Sequence, residues 1–294
     1  MSFPLAQLIA NSLIIGSIYG LVAAGFSLIY TTNRIMHFAH GAAVTVGGYI
    51  CFWSFILLGL PFWLAIINTL LISALLGLAV HKFLYEPLKK RGSSTVVLLI
   101  ASVAVLILFE NAILLLFGAS AKAIALFPIK QGINVLGATI TPLQIVIIIT
   151  SFLLLLALWA FLNYTRTGRE LRAVADHPEL ASIMGIPAKK LMTTAFIIAS
   201  VLAGIAGVLI GLEQSLEPTM GTNLIVKGFS GAVIGGMTSV PASITGSLIV
   251  GFAENFGIWW LPSGFKDAIT FTLLFIFLLL RPQGLFGKKT GARQ

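Results

Sequence analysis

Apolar runs of about 20 residues, parted by short polar breaks, fill most of this chain. That length is what a helix needs to cross the hydrocarbon core of a bilayer. Such runs lie at 5–30, 41–60, 62–84, 94–117, 142–163, 191–212, 241–261 and 265–281. A ninth segment, 224–238, is short, rich in glycine and interrupted by Lys227. It reads as a short spanning helix or a re-entrant one. Residues 31–40 read as a break at membrane depth or as a loop. The pattern predicts an all-α polytopic membrane protein, one domain over 1–294, with about eight or nine transmembrane helices and broken or re-entrant segments. A β-barrel would show short alternating strands, which unbroken apolar runs contradict.

The stretch 165–190 departs from this pattern, being polar, basic and too regular for a simple connector. Arg166, Arg169, Arg172 and Asp176 recur at three- and four-residue spacing and share one helical face. Leu171, Val174 and Ala175 fall on the other. Pro178 cannot continue that helix but suits the first position of a new one. His177 or Asp176 would cap the new helix, and Glu179 in its first turn complements the dipole. The second helix, 178–184, exposes Leu180, Ile183 and Met184. Gly185 suits a C-terminal stop, with Pro187 just beyond. The expected product is helix, kink and short helix outside the bilayer, presenting a small apolar knob to a soluble partner. The alternative is an amphipathic helix resting on anionic headgroups, but such a helix needs no double stop.

Composition agrees with a membrane protein. The 294 residues are 58% hydrophobic and 9% charged, with a mean hydropathy of +1.04. A soluble domain carries roughly 25% charged residues, so this chain cannot cover a soluble surface. The net charge of +9 does not point to nucleic acid, because the basic residues gather in three places. These are His81, Lys82, Lys89, Lys90 and Arg91; the 165–190 stretch; and Arg281, Lys288, Lys289 and Arg293. The positive-inside rule makes all three cytoplasmic. The loop 118–141, with only Lys122 and Lys130, then faces outward. Counting back puts the N-terminus outside and Arg34 on the inner side. Counting forward from 212 (outside) to 281 (inside) demands an odd number of crossings. So 224–238 also crosses, or 241–261 does not fully span. Met1-Ser-Phe-Pro offers no basic lead-in to a signal peptide, so the first apolar run reads as the first membrane helix. The single cysteine, Cys51, rules out an intramolecular disulfide and reads as a small core hydrophobe.

The two halves echo each other. Helix 5–30 carries Gly16 and Gly20, then the break from Asn33 to Gly41, then small residues to Gly48. Helix 191–212 carries Gly207 and Gly211, then the break from Glu213 to Asn223, then small residues to Gly236. The two helices run oppositely by the crossing count. An inverted repeat places interrupted segments beside a transport path; close helix packing through small residues gives the same spacing without one. On the first reading Asn33, His37, Phe38, His40, Gly41, Gly221, Gly235 and Gly236 line the path. Glu110 and Glu254 are ionisable groups inside apolar runs, each followed by asparagine. They are either path contacts or carboxylates near an interface. Glu213, Glu217 and Asp267 are expected outside, as solvated loop charges or contacts for a soluble binding partner. His37 and His40 lack a third ligand nearby, so no metal site is expected. Neither Gly-x-Ser-x-Gly nor His-Glu-x-x-His occurs, which leaves hydrolase chemistry without support.

These residues meet a family. Arg169-Glu-Leu-Arg-Ala-Val-Ala-Asp176, then Leu180-Ala181 and Met184-Gly185-Ile186, resembles the coupling loop of bacterial ABC importer permeases, most narrowly the LivH-type permeases of branched-chain amino acid importers. Gly25-Phe-Ser-Leu-Ile-Tyr-Thr-Thr-Asn-Arg-Ile-Met-His-Phe-Ala-His-Gly41 is similar to the family's early signature, with His37 where asparagine is usual. Lys227-Gly-Phe-Ser-Gly-Ala-Val-Ile-Gly-Gly-Met237, followed by Pro241, Gly246 and Gly251, and Arg281-Pro-Gln-Gly-Leu-Phe-Gly287 resemble two further stretches. The four lie in the family's order and span essentially the whole chain.

The resemblance implies a translocation subunit that is not itself an enzyme. Its partners would be a homologous second permease, two cytoplasmic ATPase subunits, a periplasmic solute-binding protein and membrane lipid. Arg172, Asp176, Glu179, Leu180, Ala181, Ser182, Met184 and Gly185 would couple to the ATPase. Gly-x4-Gly-Lys-Ser/Thr is missing from the sequence, so ATP would sit on the partners and no cofactor on this chain. The substrates would be branched-chain or similar amino acids. A urea or short-amide permease of the same family is the near alternative. An ion-coupled secondary carrier, with essential carboxylates at Glu110 or Glu254, is the distant one.

Overall fold

In lipid every backbone polar group must be satisfied within the chain, and helices do so locally. The computed structural model describes residues 5–125, 132–135 and 137–287. Lys130, Lys288, Lys289, Arg293 and the N-terminal Met1-Ser-Phe-Pro lie outside the described residues. The helices in chain order are α1 (Leu5–Asn33), α2 (His40–Phe52), α3 (Phe62–Ala79), α4 (Glu86–Lys90), α5 (Thr95–Phe117), α6 (Pro142–Tyr164), α7 (Arg166–Asp176), α8 (Pro178–Ile183), α9 (Ala188–Glu213), α10 (Met220–Gly235), α11 (Val240–Gly257) and α12 (Lys266–Leu280). Two π-helical stretches, Trp53–Leu57 and Val80–Tyr85, extend α2 and join α3 to α4. They are local adjustments that apolar periodicity does not reveal. The loop between α5 and α6 contains a small antiparallel hairpin, β1 (Ile133–Val135) and β2 (Ala138–Ile140), also unforeseen.

Seven helical stretches among the described residues are long and apolar enough to cross a bilayer. The pair α10 and α11 passes that test only together and bends by 116° between its halves. α10 has 16 residues, about 24 Å of helix. It starts beside Glu217, where Met220 N–H donates to the Glu217 carbonyl. It ends where Leu285 and Phe286 N–H donate to the Ile234 and Gly235 carbonyls. Thr238–Pro241, the turn after it, faces Arg172 and Asp176 across a shared cavity. So α10 carries the chain to the face of the 165–190 elbow, α11 carries it back, and α12 returns once more. Together α10 and α11 make the broken or re-entrant unit that the glycine-rich segment suggested, and the pair counts as at most one span by length and composition.

The helices sort into two layers. α1, α2 and α9 are largely buried in protein, whereas α3, α5, α6 and α12 leave most of their surface outward. Apolarity cannot drive this sorting, because lipid is as apolar as leucine; close packing of small residues does. α1 and α11 run antiparallel with Gly16 against Gly251, and a Cβ on Gly251 would lie 2.7 Å from the Gly16 Cα. α2 meets α9 where Gly47 touches Gly204, and Gly207 touches the Val44 carbonyl. α3 meets α9 where Gly77 faces Ser200, with a gap that a Cβ would close to 2.5 Å. Outward faces carry bulky residues instead, such as Leu115, Leu116, Phe275 and Leu279.

Candidate functional site

The elbow folds as its caps dictate. Thr165 Oγ1 accepts the Gly168 N–H at 3.0 Å and starts α7. Gly168 lies so close to the Phe161 carbonyl that a side chain there would overlap it. Leu171 and Val174 are buried while Arg166, Arg169, Arg172 and Asp176 are exposed, as the spacing predicts. His177 occupies the cap of α8, but neither it nor Asp176 supplies the expected side-chain bond, so Pro178 starts the helix alone. At the other end Ile186 N–H donates to Ala181 O at 2.9 Å and Gly185 N–H to Ser182 O at 3.1 Å. Gly185 has φ +82°. This is a Schellman stop, and its left-handed residue is why glycine stands there. α8 therefore ends at Ile183, with Met184 as its cap.

α8 anchors itself by Ala181, which is 3% exposed, and turns Leu180, Ile183 and Met184 outward at 55%, 81% and 81%. Glu179 and Ser182 flank this knob, the Ser182 hydroxyl donating back to Pro178 O. The elbow is tied to the membrane helices at two points. Arg172 Nη1 donates to Asn163 Oδ1 at 3.0 Å at the end of α6. Arg34 Nη2 donates to Ala175 O at 3.0 Å. Arg34 takes a left-handed φ of +55° and ends α1. The end of α7 thus touches the first broken segment. Lys89 Nζ, from the 81–91 cluster, donates to Asn33 O at 3.2 Å. So the two basic clusters meet at the same turn and lie on one face.

Residues 34–39 form a break held inside the bundle. Phe38 N–H donates to Ser102 Oγ, partway along α5, and that hydroxyl, donating to Leu99 O at 2.7 Å, also lies 3.3 Å from Met36 O. His37 Nδ1 pairs with the Tyr85 hydroxyl at 2.8 Å, and its ring packs edge-on to Phe196. Phe38 sits against Phe26 and Phe229. His40 is buried beside the Val22 carbonyl with neither ring nitrogen in a well-formed hydrogen bond. The Asn33 Oδ1 is likewise unpartnered among the described residues. Gly41 and Gly221, the first turns of α2 and α10, touch backbone to backbone, and Thr45 Oγ1 accepts the Gly221 N–H at 3.1 Å. The two broken segments read from the sequence therefore meet. Glu110 joins them by accepting from the Thr222 hydroxyl. Gly235 and Gly236 do not. They lie at the elbow face, Gly235 against Ala242 and Gly246, Gly236 against Gly287.

Glu254 stands apart in a network the sequence reading missed. It is 1% exposed. Its Oε1 lies 3.1 Å from Lys227 Nζ and accepts from Thr270, and its Oε2 accepts from the Tyr19 hydroxyl at 2.9 Å. Lys227 also lies 3.1 Å from Asp267 Oδ1. Four helices, α1, α10, α11 and α12, meet at this one charge cluster. The signal was present: opposite charges in neighbouring apolar runs must find each other to be tolerated. Of the other carboxylates expected outside, Glu213 accepts from Gln144 Nε2 at 2.8 Å. Glu217 lines a cavity with Lys227 and Asp267.

Comparison with known proteins bears on this geometry. The profile of the family described as "Branched-chain amino acid transport system / permease component" matches residues 8–280. The permease BraD of Pseudomonas aeruginosa, named for high-affinity branched-chain amino acid transport, is 31% identical, covering 96% of this chain and 95% of that one. The corresponding LivH of Escherichia coli is 32% identical over the same shares. A solved structure, PsaBC from Streptococcus pneumoniae in complex with Fab, superposes with a TM-score of 0.52. It covers 97% of this chain and 95% of that one at 17% identity, so it speaks to the fold alone. Four motifs in order, a knobbed elbow between α6 and α9 and a full-length match converge: the chain belongs to the family of permease components of branched-chain amino acid transport systems.

Proposed function

We propose that this chain is the membrane subunit of an ATP-driven importer that moves branched-chain or similar aliphatic amino acids into the cytoplasm. It works as one of a pair of permeases in the bacterial inner membrane. Two cytoplasmic ATPase subunits grip α8, and a periplasmic solute-binding protein delivers the substrate to the opposite face. The exposed knob of Leu180, Ile183 and Met184 carries this reading, because apolar residues held out on a short capped helix are what a soluble groove takes up. Closure of the ATPase pair on ATP moves α8 and α7. Arg34 and Arg172 pass that motion to the ends of α1 and α6. The basic clusters on the elbow face support a cytoplasmic elbow. Of the two carboxylates an ion-coupled carrier could use, Glu254 is held by a lysine and two hydroxyls, while Glu110, bonded by the Thr222 hydroxyl, lines a cavity.

The test is co-purification from detergent-solubilised native membranes, with the chain as it stands and with Leu180→Asp/Met184→Asp. ATPase subunits that accompany the first and are lost from the second uphold the reading. A stably inserted protein that brings down no ATPase in either form overturns it.

A further inference from the structure

On the face opposite the elbow, a cavity of about 360 Å³ opens between α1, α9, α10 and the start of α12. It falls toward the small end of the range for small-molecule sites. Its wall has two parts. Ile15, Ile210 and Leu224 form an apolar side, and Glu217, Lys227, Lys266 and Asp267 form a charged one. The two carboxylates on Lys227 are not equivalent. Glu254 is sealed behind it, with Tyr19 and Thr270 donating to the same group. The side chain of Asp267 is 66% exposed at the cavity mouth. A sealed, fully bonded pair persists, while an exposed pair contributes little and exchanges readily. With Lys266 also on the wall, Glu217, Glu254 and Asp267 carry three negative charges against two on Lys227 and Lys266, so the site has one carboxylate to spare for a cation.

We infer that this cavity binds the zwitterionic head of an aliphatic α-amino acid. The ligand carboxylate takes the place of Asp267 on Lys227. The released Asp267 pairs with the ligand ammonium, and the ligand side chain lies on Ile15, Ile210 and Leu224. This inference rests on the amino-acid reading above and names the place where the substrate enters the permease. One ion pair is opened and two are made, so no charge is left alone. A fatty acid lacking the amine would leave Asp267 unpaired beside a second carboxylate, and an amine lacking the carboxylate has nothing to offer Lys227. The site therefore asks for both charges and an apolar side chain together.

The experiment is photolabelling of the whole transporter, in its native membranes, with a diazirine analogue of leucine, followed by peptide mapping. Label is expected at Ile15, Ile210 and Leu224. Leucine should suppress it, while leucinamide and 4-methylpentanoate should not. Asp267→Asn, a change at an exposed position, should lower labelling about tenfold. Ile15→Trp, which fills the apolar side, should abolish it without touching the charges. Label elsewhere, or label indifferent to both substitutions, overturns the site. A phosphoethanolamine headgroup carries the same two charges. Labelling that ignores leucine but rises in membranes depleted of that lipid would assign the cavity to lipid and also overturn it. If uptake of amino acids persists while the label maps elsewhere, only the site falls. If no amino acid is taken up at all, the functional reading falls and the inference with it.

Discussion

Changing Glu254 to Gln removes the buried anion that holds Lys227 and leaves the lysine with Asp267 alone. At 3.1 Å the Lys227–Glu254 attraction amounts to about 5 kcal/mol at an effective dielectric of about 20. Desolvation of both groups offsets much of that, but the penalty reappears when one partner is taken away, typically about 3–5 kcal/mol. Asp267 is too exposed to compensate, since exposed pairs yield at most about 1 kcal/mol. Glu254→Gln should therefore destabilise by about 3 kcal/mol. Lys227→Met should cost about 2–3 kcal/mol, Tyr19 and Thr270 still donating to the stranded carboxylate. The double variant removes both charges, and its cost should fall short of the sum by about 2 kcal/mol. Unfolding by SDS in mixed micelles, followed by tryptophan fluorescence, measures all four proteins. Additivity to within about 0.5 kcal/mol, or a Glu254→Gln cost under about 1 kcal/mol, would refute the claim that these groups are coupled across α10 and α11.

Two further outcomes are expected. Gly207→Ala puts a methyl group into the Val44 carbonyl between α2 and α9 and should cost about 2 kcal/mol or prevent assembly. Gly264→Ala, with no atom within 4 Å of the added Cβ, should be silent. Thermal stability in detergent tells the two apart. Gly185→Ala meets no neighbour but must adopt φ +82°, so it should loosen the end of α8 by about 1–2 kcal/mol. Substrate-stimulated ATP hydrolysis by the assembled transporter should fall, and Gly185→Asn should recover most of it. Equal rates in all three proteins would deny α8 a coupling role.

Much of the architecture was legible along the chain. The apolar runs placed the long helices to within a few residues, since length and hydropathy record a local fact: the solvent a segment meets. The elbow was legible too, because Pro178 and Gly185 act through neighbours a few residues away, though the Thr165 cap was not read and the cap expected from His177 or Asp176 does not form. The inner helices α1, α2 and α9 are somewhat less apolar than α3, α5 and α6, but that bias does not say which helix meets which. That order comes from where Gly47, Gly204 and Gly207 let backbones touch, and a glycine's neighbour across a helix pair is not written beside it. Lys227 and Glu254 were each visible as misfits in apolar runs, yet their union with Tyr19, Asp267 and Thr270 depends on four helices converging. The Gly41 and Gly221 contact, though hinted at by the echo between the halves, needed the same convergence. Short-range chemistry is carried by the sequence itself, while pairing over some 200 residues exists only once the chain has packed.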